Sequence, residues 1–291
     1  MAAIPVPVRA PLRALVLVAL LAGPATAQAT LIGSFVWSQA WTGFGGFSAI
    51  EITDDGAGFI ALSDRSLLVS GQFIRDGDVI TGVAVTDRQP LLDDAGRPLR
   101  GDRADSEGLA LAPDGTLFIS FEGVPRVRRQ SGMTGTPILL PSHPDFALMR
   151  SNAALEALAI GPDGTLYTIP ERSGRANRPY PVYRFADGEW TIAFTIPRIG
   201  PFLPSGADIG PDGMLYLLER DFVGIGFRSR VRRFGLDGSG GEVLVQTGLG
   251  THGNLEGISV WADARGLRLT MIADDNFQFL QQTQIVEYRL D

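Results

Sequence analysis

SEGLALAPDGTLFISFE (106–122), LEALAIGPDGTLYTIPE (155–171) and SGADIGPDGMLYLLER (205–220) are three copies of one unit. Pro113, Pro162 and Pro211 are 49 residues apart, as are Asp114, Asp163 and Asp212. Two looser copies flank them: GGFSAIEITDDGAGFIALSDR (45–65) and LEGISVWADARGLRLTMIADD (255–275). Each copy opens on alternating apolar residues, such as Leu109 and Leu111, the period-2 pattern of a strand. Pro-Asp-Gly follows. Pro presets φ, Asp bonds its own backbone and Gly accepts positive φ, so the unit reads as a hairpin. A second apolar run comes next, as at 117–119 and 166–169. Two further runs fill the period: 181–186 and 190–196 around Asp187-Gly188, then 230–235 and 242–246 around Asp237-Gly238.

Four short strands in a unit of 40–50 residues describe one blade of an all-β propeller. A solenoid of parallel coils needs a shorter period, and no helix-period segment is long enough to build βαβ units. Five copies give five blades of four strands. The last copy supplies strands near 256–261, 267–273 and 284–290. The N-terminal run 31–37 is the expected fourth strand, closing the ring and leaving no long free edge. The interval between the first two copies exceeds 49 residues, so a degenerate sixth blade, or a loop around 91–105, is the alternative for that stretch.

Residues 1–27 read as an export signal: Arg9 and Arg13, a short apolar core at 14–21, and Ala25-Thr26-Ala27 before Gln28. The apolar run is too short for an ordinary membrane span. The expectation is a domain over 28–291, exported to a periplasm or secreted, monomeric and free of the membrane after cleavage behind Ala27. The chain has no Cys, which removes disulfides, thiolate metal sites and Cys nucleophiles together. Its formal charge is −7. The leader carries two Arg and no acid, which leaves −9 for the rest and argues against a nucleic-acid partner. Every basic residue other than the two His is Arg, so Lys Schiff-base chemistry is excluded and any anion clamp is built from guanidinium groups.

No Gly-x-Ser-x-Gly elbow, P-loop, His-Glu-x-x-His or complete EF-hand loop occurs, and no nucleotide or organic cofactor is expected. The two His are His143 and His252. His143 lies in a loop context. His252, just before the last copy, is a candidate substrate contact or triad member, against the plainer reading of a loop His without a role.

Carboxylates recur at equivalent blade positions. Glu107, Glu156 and Glu256 stand at the entry to the first strand. Ser205 takes that place in the third Pro-Asp-Gly copy, with Asp208 three residues on, and Ser48 takes it in the first copy, with Glu51 three residues on. First strands line the channel of a propeller, so these carboxylates converge and repel unless a cation or protons neutralise them. A hard cation such as Ca²⁺ takes such oxygens. The competing reading is that each Glu caps its own blade's amides or pairs with an Arg. A second acidic set ends the second strand: Asp64, Glu122, Glu171, Glu219 and Asp274, with Asp275 beside the last. Arg65, Arg172 and Arg220 follow three of them, either as local braces of little worth if exposed or as anion binders at the mouth. Both sets fall at one end of each blade, marking one face of the disc as the functional face. Asn152, Asn254 and Asn276 add oxygen ligands there.

The phrases ALSDR (61–65), DSEGLALAPDG (105–115), SFE (120–122), LEALAIGPDGTLYTIPE (155–171), LLERDF (217–222), NLEGISVW (254–261) and IADDNF (272–277) resemble the phytase-like family, described as esterase-like activity of phytase. The resemblance implies a β-propeller, an exported bacterial protein and a hydrolase of phosphate or carboxylate esters, with Ca²⁺ dependence by analogy to β-propeller phytases. It carries the family's acidic phrases onto Asp64, Glu107, Glu122, Glu156, Glu171, Glu219, Glu256, Asp274 and Asp275 as metal-site candidates. On that scheme Glu107, Glu156, Glu256 and Asp208 are the catalytic candidates. Arg65, Arg172, Arg220 and His252 would hold a small anionic ester. A calcium-dependent lactonase is a close variant, and a non-catalytic periplasmic propeller that binds a ligand or a protein is the alternative. A third reading gives the acidic residues only the task of stabilising blades.

Overall fold

The Pro-Asp-Gly turns close as their residue types demand. Gly115, Gly164 and Gly213 have φ of +83°, +82° and +73°, and each donates its N–H to the residue three before it. Asp114, Asp163 and Asp212 accept from the N–H of Thr116, Thr165 and Met214, a type I turn with Pro at its first central position. Asp187 and Gly188, at +54° and +81°, form the two-residue turn with positive φ that suits the strand twist.

The computed structural model describes residue 1 and residues 29–290, apart from 151, 152 and 176. The expected export leader and Asn152 lie outside the described residues. The chain enters on β1 (Ala29–Val36) and then builds blade 1 from β2 (Phe47–Ile52), β3 (Gly58–Ser63), β4 (Leu67–Asp76) and β5 (Val79–Pro90). Blade 2 is β6 (Ser106–Leu111), β7 (Thr116–Phe121), β8 (Arg126–Ser131) and β9 (Ile138–Leu139). Blade 3 is β10 (Leu155–Ile160), β11 (Leu166–Pro170), β12 (Tyr180–Ala186) and β13 (Glu189–Ile196). Blade 4 is β14 (Leu203–Ile209), β15 (Leu215–Phe222), β16 (Phe227–Phe234) and β17 (Gly240–Gln246). Blade 5 is β18 (Asn254–Asp263), β19 (Gly266–Asp274) and β20 (Gln284–Leu290), with β1 antiparallel on its outer edge.

The fold is therefore an all-β propeller of five four-stranded antiparallel blades, closed by the N-terminal strand. The sixth-blade alternative is corrected. The long first interval is taken up by the extended β4–β5 hairpin, of 10 and 12 residues, and by the connection to β6 with a 3₁₀ turn at Gly101–Arg103. No helix among the described residues is long and apolar enough to cross a membrane.

Apolar packing explains why blades come as a set. Among the described residues the core divides into five clusters, and each joins two neighbouring blades. Leu62 and Leu68 of blade 1 meet Leu117 and Phe121 of blade 2, for example, and Ile272 and Ile285 of blade 5 meet Phe47 and Phe59 of blade 1. A lone blade leaves both faces wet, so stacking supplies the stability.

The inner strands approach one another closely just below the mouth. Ala49, Gly108, Ala157, Gly206 and Gly257 occupy one ring position, one in each blade. A Cβ on Gly257 would lie 2.7 Å from Ala49 Cα and 2.8 Å from Ile50 N. Both neighbours are backbone and cannot rotate away. Gly257→Ala is expected to cost about 1–3 kcal/mol by overpacking, visible as a lower Tm in calorimetry. An unchanged Tm would show that blades 5 and 1 shift apart freely.

Candidate functional site

Each first strand carries a β-bulge at its entry. The register slips across Ser48, Glu156, Ser205 and Glu256, and across Glu107 with Gly108. A bulge re-aims the extra residue out of the regular pleat. It thereby turns Glu107, Glu156 and Glu256 to the channel mouth, buried at 8%, 4% and 7% exposure. At the two serine positions the hydroxyl instead bonds the neighbouring blade: Ser48 donates to the Ser106 carbonyl at 2.8 Å and Ser205 to the Leu255 carbonyl at 3.2 Å.

A second ring comes from the residue that follows, on the second strand, the register pair at the entry side of each bulge. Pairs Phe47–Ser63, Ser106–Phe121, Leu155–Pro170 and Leu255–Ala273 place Asp64, Glu122, Glu171 and Asp274 there. In blade 4 the matching pair is Pro204–Glu219, so the ring residue is Arg220. The blade that lacks both ring carboxylates thus contributes the cation.

Arg220 occupies the centre of the mouth. Its guanidinium is paired with Glu256 Oε1, donates to Asn254 Oδ1 at 3.1 Å and lies 3.6 Å from Glu171 Oε1. Burial disfavours its charge, but Glu256, Glu156, Glu171 and Glu107 outweigh that and raise its pKa. One guanidinium does not neutralise so many acids. Burial, then Glu256, Glu122 and Asp105, push Glu107 well above the usual carboxylate range. Burial and then Glu107 do the same to Glu156. Burial also raises Glu256, against the pull of Arg220 and Asn254. Burial lifts Asp64 and Glu122 to about 7 and, with Glu256, Asp274 to about 8.

These residues fit a hard divalent cation. One oxygen from each of Glu122, Glu156 and Glu171 lies within 4.8 Å of the others, and the same holds for Asp105, Glu107 and Glu122. Asp64 Oδ1 is buried and, among the described residues, has no hydrogen-bond partner. An all-carboxylate oxygen set with spare lone pairs is the donor chemistry of Ca²⁺ or Mg²⁺.

The other residues expected at the site are placed as follows. Glu219 is not at the mouth. It is fully buried and accepts from Arg230 Nε at 2.8 Å and from Arg232 Nε and a terminal N–H at 2.7 Å, which uses both its oxygens. Asp208 sits three residues deeper in the channel, about 10 Å along the strand, and accepts from the N–H of Ile209 and Val260. There it raises the pKa of Glu51, behind burial as the larger cause, and its own pKa is lifted to about 7 by burial. Ser259 lies 3.4 Å from Glu51. This lower pair is separate from the ring of glutamates. Asp275 holds the loop that follows β19, accepting from the N–H of Gly46 and Phe277 and from the Thr283 hydroxyl. His252 is a packed interior residue, 2.8 Å from the Tyr288 hydroxyl, with its pKa lowered by burial. It does not reach the mouth.

Arg220 is an internal counterion rather than an open clamp. Arg65 and Arg172 remain at the rim: Arg65 stacks 3.3 Å over Phe277, and Arg172 pairs with Glu171 at 2.9 Å while half exposed. Asp105 joins this acidic cluster and was not among the candidates read from the sequence. Its signal was the Asp-x-Glu alternation of Asp105 and Glu107, which puts both side chains on one side of the entering chain.

Regucalcin from Agrobacterium tumefaciens, a calcium-binding protein, is similar at 15% identity and a TM-score of 0.47, over 85% of this chain and 78% of that one. A catalytically inactive virginiamycin B lyase from Staphylococcus aureus is similar at 13% identity and 0.44, over 91% and 100%. A gluconolactonase from Xanthomonas campestris is similar at 14% identity and 0.44, over 80% and 69%. No curated protein is significantly similar to the chain. The phytase-like family, described as esterase-like activity of phytase, matches residues 42–277, from the loop before β2 to the loop after β19. Since that match covers most of the chain and spans both rings of the mouth, the chain belongs to the phytase-like family.

Proposed function

We propose that this protein is an exported hydrolase of phosphate or carboxylate esters that uses a divalent cation, of the Ca²⁺ type, at the channel mouth. The observation that carries this reading is the ring of buried carboxyl groups around Arg220, with too little positive charge to balance it. Glu122, Glu156 and Glu171 would hold the ion, with Asp105 and Glu107 as the neighbouring set. Such a cation polarises an ester oxygen and eases deprotonation of water.

The chain's own residues do the rest. Arg220 and Asn254 fix the Glu256 carboxyl, both bonding its Oε1. Asp64 and Asp274 have pKa values of about 7 and about 8 and lie beside Glu256, so they are poised to accept or donate a proton near neutrality. Arg65 and Arg172 stand at the rim where an anionic substrate arrives. A lactone presents the same acyl chemistry and belongs to the same proposal.

The Glu156→Gln, Glu256→Gln double variant is expected to lose at least about 100-fold in kcat/KM, measured with 4-nitrophenyl phosphate, 4-nitrophenyl acetate and a γ-lactone. Full activity in that variant would contradict the scheme. One observation favours a second reading, a ligand-binding propeller without catalysis: Arg220 already places a positive charge at the centre of the mouth. On that reading none of the three substrates turns over, whatever the metal.

A further inference from the structure

A groove of about 800 Å³ lies on the outside of the mouth, where the connection between blades 2 and 3 meets the β11–β12 loop. Arg150, Arg172, Arg175 and Arg178 line it. Asp145 is the one carboxylate among its described lining residues, and it already accepts from the Tyr183 hydroxyl at 2.9 Å. Among the described residues, the guanidinium groups of Arg150, Arg175 and Arg178 form no hydrogen bond or ion pair, and all three side chains are exposed. The net charge of the chain is negative, so this concentration of unpaired guanidinium groups is not an overall surplus of arginine. The other walls are apolar: Leu148, Met149, Tyr183 and Ile192. Leu148 is 82% exposed and Ile192 47%, apolar surface left open beside the charge. The volume falls in the range of small-molecule sites, in which apolar walls bind the body and a few polar groups orient it.

We infer that this groove binds a small amphiphilic oxyanion, an aromatic or aliphatic body bearing a phosphate or carboxylate group. Arginine pairs suit either anion through two parallel N–H donors, and the apolar wall removes the body from water. The groove and the mouth share a wall. Arg172 lines the groove while its Nε bonds Glu171 of the ring, and Ala153 and Pro170 line it beside Ala154, whose N–H points to Glu122. A ligand in the groove therefore extends toward the ring carboxylates. This deepens the reading of the mouth as an ester-hydrolysing site: it assigns that site substrates with an apolar body and a second, non-reacting anionic group.

The test is calorimetric titration in EDTA at pH 7.5 with two non-hydrolysable probes, 1-naphthylphosphonate and 2-naphthoate, against inorganic phosphate and acetate. A single saturable site is expected for at least one naphthyl probe, at least about tenfold tighter than the matching small anion. The tighter probe identifies the head group. Arg175→Ala with Arg178→Ala is expected to weaken it about tenfold or more, and Ile192→Asp likewise. Glu156→Gln with Glu256→Gln should not weaken it, because both changes only remove negative charge near the anion, which separates the groove from the mouth. Equal affinity for the naphthyl and small anions, or no effect of the arginine variants, would overturn the inference even if hydrolysis is intact. Groove binding that persists when the mouth proves inactive would sink only the ester reading.

Discussion

Glu219→Ala is expected to lower stability by about 3–5 kcal/mol, the cost of leaving a buried charge without its partner. Glu219 and Arg232 are fully buried, and Arg230 is 3% exposed. Each arginine donates a further N–H to a backbone carbonyl, Arg230 to Ile199 at 3.0 Å and Arg232 to Pro197 at 3.1 Å. Those carbonyls lie on the connection leaving blade 3, so the network ties blade 4 to its neighbour. Removing Glu219 strands two guanidinium groups in the interior. For a domain of this size the loss corresponds to a Tm lower by about 10 °C. Replacing Glu219, Arg230 and Arg232 together with apolar residues should cost less than the single change, because no charge is left unpaired. A single variant within about 1 kcal/mol of the parent would show that water reaches the pair.

The second large effect is on pH. In buffer without divalent ions, Tm is expected to rise by at least about 5 °C as pH falls from 8 to 5.5. Asp64, Glu122 and Asp208 titrate at about 7 in the folded chain, and Asp274 at about 8. In the unfolded chain such groups titrate near 4. Between pH 4 and 8 the folded state therefore holds protons that the unfolded state has lost, so stability falls as pH rises. The carboxyl contribution is least unfavourable below the unfolded values and worsens through about 7 to 8. A divalent ion at the mouth replaces those protons, so Ca²⁺ should raise Tm most at pH 8 and least at 5.5. A Tm that falls steadily on acidification would show that the ring is stabilised as anions by the protein alone.

The period of the repeat made the fold legible, because hairpin turns and strand alternation are local and recur. The closing strand was legible too, since blade 5 lacked a fourth run that β1 supplies. The glutamates of the first ring were found because they sit at one offset in three copies. The second ring was misread in blade 4. Glu219 resembles Glu122 and Glu171 by eye, but the 49-residue spacing carries Glu171 onto Arg220. A one-residue slip in a strand moves a side chain to the opposite face; it turned a structural ion pair into a supposed ligand and the central cation into a supposed clamp. The bulges were not legible, because nothing in a Ser or Glu at a strand entry announces an extra residue. The packing of His252 and Asp275 was not legible for a related reason: proximity to the repeat in sequence does not fix direction in space, and Tyr288 and Gly46, the groups that hold them, lie 36 and 229 residues away.

A divalent cation held at the mouth is detectable by calorimetric titration of Ca²⁺ into EDTA-stripped protein at pH 7.5. One saturable site is expected, with proton release that makes the heat depend on the buffer, and both should be lost in Glu122→Gln with Glu156→Gln. No binding of Ca²⁺, Mg²⁺ or Mn²⁺ at millimolar concentration, with or without those substitutions, would contradict a cation site there and leave Arg220 as the only cation the ring requires.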